Sequence, residues 1–455
     1  MKRAQVSDGR ILVAAAAALA IIAVAGFVIV GADTMWAVAL GDGVLRDRTP
    51  HPELGYAAAE ASWRSPLALG WLVLSAANAM GGSGLALAQV LVVLVVLWVT
   101  GQEALVRGAG GGGAALVVVL ALLGSAQAFV ITRQPSLSLI PFVLLAAILR
   151  REHAEPSRRI WLGIVVLALW GNLHGGAIVG WALIGVYLVL SRARRRTMEA
   201  LVLCVAASAA LFVNPLGIDS WRYYRDVFAN EAAARNTDLW ARPTLDNPFD
   251  VAMLLVTLVL AVAFLRRRPP LWEVAAVLGM AAGTAQVARN GTWLILFLAP
   301  VAYAVRTPHP HADGGGDARP RLHWPSMAIL GGGLVVALAV VLGRGGDPHP
   351  PGTGELARIQ GFAGQRTVYA DEPLSETLLA AGVRVWAGNP IDAFPAAVQA
   401  DLLDILHGTD ATGLPEDVRV AFVREGSASE RVISETTGWE RSTLVGPYVV
   451  LERTD

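Results

Sequence analysis

The feature that most constrains this chain is a succession of long apolar segments. Runs such as 11–30 and 85–99 contain no charged residue, and about 20 apolar residues are enough for a helix to span a bilayer. Only 16% of all residues are charged, against about a quarter in a soluble domain. The sequence therefore predicts an α-helical polytopic membrane protein.

The polar residues at the two ends of these segments differ in kind. Arginine clusters mark alternate ends, at 150–159, 192–196 and 266–268. Because cytoplasmic loops of membrane proteins are enriched in Lys and Arg, we expect these ends inside the cell. The opposite ends carry a chemically mixed set: Asp33, Arg133, Asn172, His174, Asn214, Asp238 and Arg289. Such a set on one face indicates an extracytoplasmic site.

The order of spans follows from the same rule. Segment 11–31 is interpreted as an uncleaved first span with a cytoplasmic N-terminus, and 32–65 as a long outer loop. Segment 66–80 is short, and only if it lies in the membrane interface do all arginine clusters fall inside. Ten further spans, making about eleven, are expected near 83–100, 112–131, 135–149, 160–173, 176–190, 198–213, 249–265, 271–288, 292–306 and 326–343.

The composition changes at Arg344, after a membrane domain over 1–343. Alternating short strands and helices over 344–455 predict a small α/β domain. Strands are expected near 368–370, 383–386, 418–423 and 448–452, and helices near 375–381, 396–407 and 429–437. An odd number of spans places this domain outside the cell. The Pro-, Gly- and His-rich stretch 307–325 is interpreted as a cytoplasmic linker.

Charge and cysteine content limit the partners and cofactors. The formal net charge is +0, so nothing indicates a nucleic-acid partner. Cys204 is the only cysteine, which excludes an intramolecular disulfide and a cysteine-based zinc site. The outer loop has enough carboxylates to hold a divalent metal through oxygen ligands, although no spacing requires one. No cofactor is therefore predicted with certainty.

Asp33 is the candidate for acid–base chemistry. It lies just beyond the first span and is followed by Trp36. The simpler interpretation is a solvated loop carboxylate beside an interfacial aromatic residue. The functional interpretation is a general base held close to the bilayer surface.

Histidine and arginine residues on the same side are candidates for phosphate binding. Asn172 and His174 interrupt an apolar stretch, where they either cap a re-entry turn or, in the case of His174, donate a hydrogen bond to a phosphate or sugar. Arg133 and Arg289 run against the topological bias, so they either snorkel to lipid headgroups or clamp a lipid phosphate. Asp238 and Trp240 suit a sugar site because aromatic faces stack on sugar rings, although interfacial anchoring explains Trp240 equally well.

The ordered set of motifs resembles membrane glycosyltransferases of the GT-C fold. The resemblance is closer to a bacterial group of multi-spanning proteins in that superfamily that carry an outer C-terminal domain. The motifs that carry it are, in order, Asp33/Trp36, Arg133, Trp170/Asn172/His174/Gly175/Gly176, Asn214/Pro215/Gly217 and Arg289. Two acidic motifs of that group are replaced here, by Arg64-Ser65-Pro66-Leu67 and by Asp238-Leu239-Trp240.

The resemblance implies a transferase in the cell's inner membrane that takes a sugar from a polyprenyl-phosphate carrier. An extracytoplasmic acceptor hydroxyl would attack the anomeric carbon, and this single displacement would invert its configuration. Asp33 would be the base, and Arg289, with Arg133 and His174, would offset the charge of the departing phosphate.

Two other functions fit the sequence. The replaced acidic motifs favour a non-catalytic membrane protein that binds a lipid-linked glycan or an envelope partner. A transporter or flippase is the third hypothesis, but it calls for polar residues in the middle of the membrane, and here the polar groups collect at the segment ends.

Overall fold

The computed structural model describes residues 2–303, 323–344 and 351–454. Nearly all of the linker expected at 307–325 lies outside these ranges. The helices are α1 (Lys2–Phe27), α2 (Ala32–Asp47), α3 (Ala68–Asn78), α4 (Gly81–Val106), α5 (Gly111–Gly124), α6 (Ala126–Val130), α7 (Leu139–Ala154), α8 (Ile160–Leu173), α9 (Ala177–Tyr187), α10 (Thr197–Ala210), α11 (Ser220–Phe228), α12 (Glu231–Arg235), α13 (Pro248–Arg266), α14 (Leu271–Gln286), α15 (Gly291–Ala302), α16 (Trp324–Gly343), α17 (Thr353–Ala363), α18 (Leu374–Ala380), α19 (Ala396–Leu406) and α20 (Ala428–Glu435). The strands are β1 (Ile29–Val30), β2 (Ile131–Thr132), β3 (Thr367–Ala370), β4 (Val418–Arg424), β5 (Trp439–Val445) and β6 (Tyr448–Arg453).

The apolar helices fit a multi-pass membrane protein. Within the described residues, four helical segments are long and apolar enough to span a membrane: Asp8–Phe27, Gly81–Val106, Pro248–Arg266 and Trp324–Gly343. Shorter apolar helices accompany them at Ala68–Asn78, Gly111–Gly124, Ile160–Leu173, Ala177–Arg192 and Thr197–Ala210. The total of eleven spans stays a prediction, because several of these helices are shorter than a full bilayer crossing.

The segment expected as a long outer loop is helical in its first part. Helix α2 follows β1 directly and buries Met35, Trp36, Val38 and Leu40. Helix α2 packs against α3 so closely that a Cβ at Gly41 would meet the backbone carbonyl of Trp71. The acidic residues of this segment suggested a solvated loop, but residues 34–38 of α2 are all buried, because the helix packs against both α3 and α18.

Buried ion pairs hold together the helix ends that carry the arginine clusters. Arg150 Nε lies 3.0 Å from Glu273 Oε1, and Arg192 Nη1 lies 3.2 Å from Glu152 Oε2, all four side chains being at most 3% exposed. We call these helix ends the arginine face. Arg150 is near the C-terminal end of α7, whose first turn lies near Arg133, so the residues predicted to form a site lie at the opposite ends of the same helices. We call that opposite surface the Asp33 face.

A two-strand bridge brings distant parts of the Asp33 face together. Strands β1 and β2 pair in parallel, with Val30 opposite Thr132. The Gly31 N–H and the Thr34 hydroxyl both donate to the Thr132 carbonyl, at 2.9 and 2.7 Å. A Cβ at Gly31 would lie 2.8 Å from Ile131 Cγ2 and 2.9 Å from Arg133 Cγ. Glycine is therefore required for this approach.

The C-terminal domain contains a four-stranded mixed sheet of order β3-β4-β6-β5. Strand β3 is parallel to β4, and the other pairs are antiparallel. The three predicted helices are present as α18, α19 and α20, whereas the segment 383–386 makes only a single bridge, at Val385. Strand β5 escaped prediction because it is a largely exposed edge strand with polar residues at its centre.

This domain packs on the Asp33 face rather than standing apart from it. The N–H groups of Ala57, Ala58 and Glu60 donate to the carbonyls of Val385, Trp386 and Ala393 at 2.8, 3.0 and 2.9 Å. Trp36 and Tyr56 belong to the same buried apolar cluster as Tyr369 and Trp386 of the domain. The C-terminal domain is therefore packed and hydrogen-bonded against the segment that follows α2.

The β1–β2 bridge gives a first prediction. Replacing Gly31 with Ala forces β1 away from β2, since the new methyl group would overlap Ile131 and Arg133. Overpacking of this kind costs about 1–3 kcal/mol, so the melting temperature in lipid nanodiscs should fall. Gly26→Ala is the matched control, because a Cβ there meets nothing within 4 Å. Equal melting temperatures for the two variants would show that the bridge is not under this constraint.

Candidate active site

The Asp33–Arg133 ion pair is the centre of the site. Asp33 Oδ2 accepts from Arg133 Nη2 at 2.6 Å and from Nε at 3.1 Å, and the two side chains are 13% and 18% exposed. Asp33 also lies in the first turn of α2, where the helix dipole favours a negative charge. Both hydrogen bonds reach the same oxygen, so Oδ1 takes no hydrogen bond from another residue in the described part of the chain. The carboxylate is oriented but keeps one oxygen available as a proton acceptor.

His174 supplies a neutral hydrogen-bond donor. It ends α8, and its Nδ1 accepts from the backbone N–H of Gly176 at 2.9 Å, which leaves the proton on Nε2. The pKa of His174 is lowered to about 3. Burial is the main cause, the positive charges of Arg289 and Arg133 contribute, and the negative charge of Asp33 opposes them. The imidazole is therefore uncharged at neutral pH and offers Nε2–H to a ligand.

Arg289 is the second arginine of the site. It lies in a 3₁₀ turn, Ala288–Asn290, which is fixed by a 2.9 Å hydrogen bond from the Ala288 N–H to the Ala241 carbonyl. Its guanidinium lies over the Trp240 ring, 4.4 Å from the centroid. The surrounding protein lowers the pKa of Arg289 to about 10, an effect opposed by Asp33. Arg289 thus stays charged at neutral pH and, among the described residues, forms no ion pair.

Tyr223 closes the site on the side of α11. Its hydroxyl lies against the turn that follows His174, because a Cβ at Gly175 would come within 2.6 Å of it. Burial, and then the negative charge of Asp392, raise the pKa of Tyr223, whereas Arg289 lowers it. The phenol is a neutral donor at physiological pH, situated between Arg289 and a carboxylate of the C-terminal domain. No local sequence pattern indicated a role for Tyr223 in the site.

Asp392 of the C-terminal domain is the second carboxylate near the site. It lies in the short 3₁₀ turn Ile391–Ala393, and its Oδ2 accepts from Trp63 Nε1 at 3.1 Å. Burial raises the pKa of Asp392, while the hydrogen bond from Trp63 lowers it. Nothing in the local sequence marked this residue, since it lies more than 350 positions from Asp33 and reaches the site only through the packing of the domain.

Three of the predicted site residues have other surroundings. Trp36 is 6% exposed and packs edge-on against Trp63 and Trp71, with ring centroids 6.5 Å apart. Asn172 donates to the carbonyls of Ala168 and Val213, at 2.8 and 2.6 Å, so it caps α8 and ties its end to the end of α10. The backbone of Asp238 begins the short turn that carries Trp240, but the Asp238 side chain lies outside the described part of the structure.

The acidic residues of α2 and of the segment after it have local partners. Asp42 accepts from Ser75 at 2.5 Å, and Asp47 pairs with Arg46 at 2.9 Å. Within residues 2–303, 323–344 and 351–454, no group of three or more Asp, Glu, His or Cys side chains is placed to hold a metal ion. The described polar groups around Asp33 are arginines, an imidazole and a phenol.

Comparisons with known proteins find no matching family model and no matching curated protein by sequence. Solved structures do match. ArnT from Cupriavidus metallidurans bound to undecaprenyl phosphate superposes with a TM-score of 0.54 at 15% identity, over 97% of each chain.

A second match is the arabinofuranosyltransferase AftD from Mycobacteria. It superposes with a TM-score of 0.50 at 14% identity, over 97% of this chain and 40% of its own length. The match to ArnT covers both the helical part and the C-terminal domain, so the likeness concerns the whole architecture. The fold is therefore the GT-C fold that the ordered motifs predicted.

Proposed function

We propose that this protein is an inner-membrane glycosyltransferase that moves a sugar from a polyprenyl-phosphate carrier to an extracytoplasmic hydroxyl. The observation that carries the proposal is the arrangement around Asp33: a carboxylate, an arginine and a neutral imidazole donor, the carboxylate having one oxygen, and the arginine its charge, not paired with another described residue. The likeness to ArnT bound to undecaprenyl phosphate supports a polyprenyl-linked donor.

The charges of the site match the donor. Arg133 is neutralised by Asp33, so Arg289 provides about one uncompensated positive charge. A sugar phosphodiester carries a single negative charge, and the departing monoester phosphate carries more. The attraction of Arg289 thus increases as the leaving group forms, which is how an enzyme stabilises a transition state in preference to its substrate.

The proposed step is a single displacement. The acceptor oxygen forms a bond to the anomeric carbon while the bond from that carbon to the phosphate oxygen breaks. Asp33 Oδ1 takes the proton of the acceptor hydroxyl, and polyprenyl phosphate leaves towards Arg289 and His174. Attack on the face opposite the phosphate inverts the anomeric configuration.

The proposed orientation follows from the helix ends. With the arginine face in the cytoplasm, the N-terminus lies inside, and the Asp33 face and the C-terminal domain lie outside. The lipid carrier then enters from the outer leaflet and the acceptor from the aqueous side.

Replacing Asp33 with Asn tests the base directly. Asn has a similar shape but cannot accept the acceptor proton, so transfer of radiolabelled sugar from polyprenyl phosphate to an envelope glycan fraction should fall by about 10²–10⁴-fold. Asp47→Asn, on the same helix, is the control and should transfer normally. Equal transfer by wild type and Asp33→Asn would move the base elsewhere. Absence of transfer by wild type with every donor, despite lipid-phosphate binding, would favour the non-catalytic alternative.

Arg289→Ala tests the phosphate site without requiring turnover. Loss of a charged donor costs about 1.5–3 kcal/mol, so binding of undecaprenyl phosphate should weaken at least about tenfold. Arg222→Ala is the matched control, because Arg222 is 62% exposed and already has Asp219 at 3.4 Å. Equal weakening by both variants would mean that surface charge alone attracts the lipid.

The neutral state of His174 has a measurable consequence for stability. Its pKa is about 3 in the folded protein against 6.5 for a free histidine, so between these values the unfolded chain binds more protons. The stability that depends on the neutral imidazole is complete above pH 6.5 and is lost as the pH falls. The melting temperature should therefore drop more between pH 7 and 4 in wild type than in His174→Gln.

An equal drop in His174→Gln and wild type would contradict a buried neutral imidazole at position 174.

A further inference from the structure

Asp392 brings a carboxylate of the C-terminal domain to the Asp33 face. Asp392 is half-buried, and its Oδ2 accepts the indole N–H of Trp63 at 3.1 Å. Its Oδ1 accepts no hydrogen bond from another residue within the described ranges. The indole hydrogen bond fixes the carboxylate, since Trp63 is itself held by aromatic contacts to Trp36 and Trp71.

Asp392 is connected to the donor site by Tyr223. The phenol of Tyr223 lies against the His174–Gly176 turn on one side. The charges of Asp392 and Arg289 both act on its hydroxyl, and Tyr223 and Trp63 pack against the same buried cluster of α2 and the C-terminal domain. Tyr223 is therefore near both the proposed phosphate-binding residues and Asp392.

The negative charge of Asp392 indicates whether it would contact the sugar donor or the acceptor. A carboxylate repels the donor phosphate but is a strong acceptor for sugar hydroxyl groups, which are O–H donors. Asp392 also belongs to the domain that packs over the Asp33 face, on the side from which an aqueous substrate would arrive. These features suit a neutral, polyhydroxylated acceptor rather than an anionic one.

We propose that Asp392, held by the indole of Trp63, binds a hydroxyl group of a neutral glycan acceptor and so determines acceptor specificity. This inference rests on the proposed glycosyltransferase function for the identity of the reaction. It differs from that proposal in placing part of the substrate site on the C-terminal domain.

Asp392→Asn is the test, because the amide oxygen still accepts from Trp63 while the charge is lost. We expect the KM for an envelope glycan fraction to rise about tenfold, the loss of one charge-assisted hydrogen bond. The kcat at saturating glycan and the binding of undecaprenyl phosphate should not change. Direct binding of fluorescently labelled envelope oligosaccharides to the full-length protein should weaken by the same factor.

Two further variants separate acceptor binding from anchoring and from general charge. Trp63→Phe removes the indole donor but keeps an aromatic ring. If Asp392 served only to hold Trp63 in place, Trp63→Phe would raise the glycan KM at least as much as Asp392→Asn. Asp226→Asn removes an exposed carboxylate whose charge also acts on Asp392, and it should leave glycan binding intact.

The outcomes distinguish this inference from the proposed function. Normal glycan KM and binding in Asp392→Asn, with active wild type, would overturn the inference and leave the transferase standing. Weakened oligosaccharide binding in Asp392→Asn, with an inactive wild type, would keep the glycan site and overturn the transferase. Failure of wild type to bind any envelope oligosaccharide would overturn the inference as well.

Discussion

The ion pair between Asp33 and Arg133 is the interaction on which the site depends. Its partners are 100 positions apart in sequence and meet because β1 and β2 pair in parallel beside a glycine. Taking two charges partly out of water is costly, and such a pair often adds little net stability. Its value here is geometric: it directs one carboxylate oxygen to the arginine and leaves the other without a hydrogen bond from another described residue.

The remaining groups are arranged so that the site keeps a small net positive charge. Asp33 neutralises Arg133, His174 is held neutral by its surroundings, and Arg289 is stabilised by the face of Trp240 instead of by an anion. A cation supported by an aromatic ring remains available for a ligand, whereas one in an ion pair would have to break it. Asp392 and Tyr223 extend the site towards the C-terminal domain, so in the proposed reaction the donor and acceptor would meet surroundings of different charge.

Much of this arrangement could be predicted from the sequence. The alternation of arginine clusters with mixed polar residues predicted which helix ends share a face, and Asp33, Arg133, His174 and Arg289 do lie together. That rule predicts on which side of the membrane a helix end lies, but not the direction in which a side chain points. It could therefore not show that Asn172 caps backbone carbonyls or that Trp36 lies in an aromatic cluster. Asp392 and the role of Tyr223 depend on contacts between distant segments, which no local pattern encodes.

The most direct test of this account is a cryo-electron microscopy map of the protein in lipid nanodiscs with undecaprenyl phosphate. The account predicts phosphate density on the Asp33 face, within hydrogen-bonding distance of the Arg289 guanidinium and of His174 Nε2, with the Asp33–Arg133 pair intact. Phosphate density bound only at the arginine face, or an Arg289 side chain that makes no contact with the lipid, would contradict it.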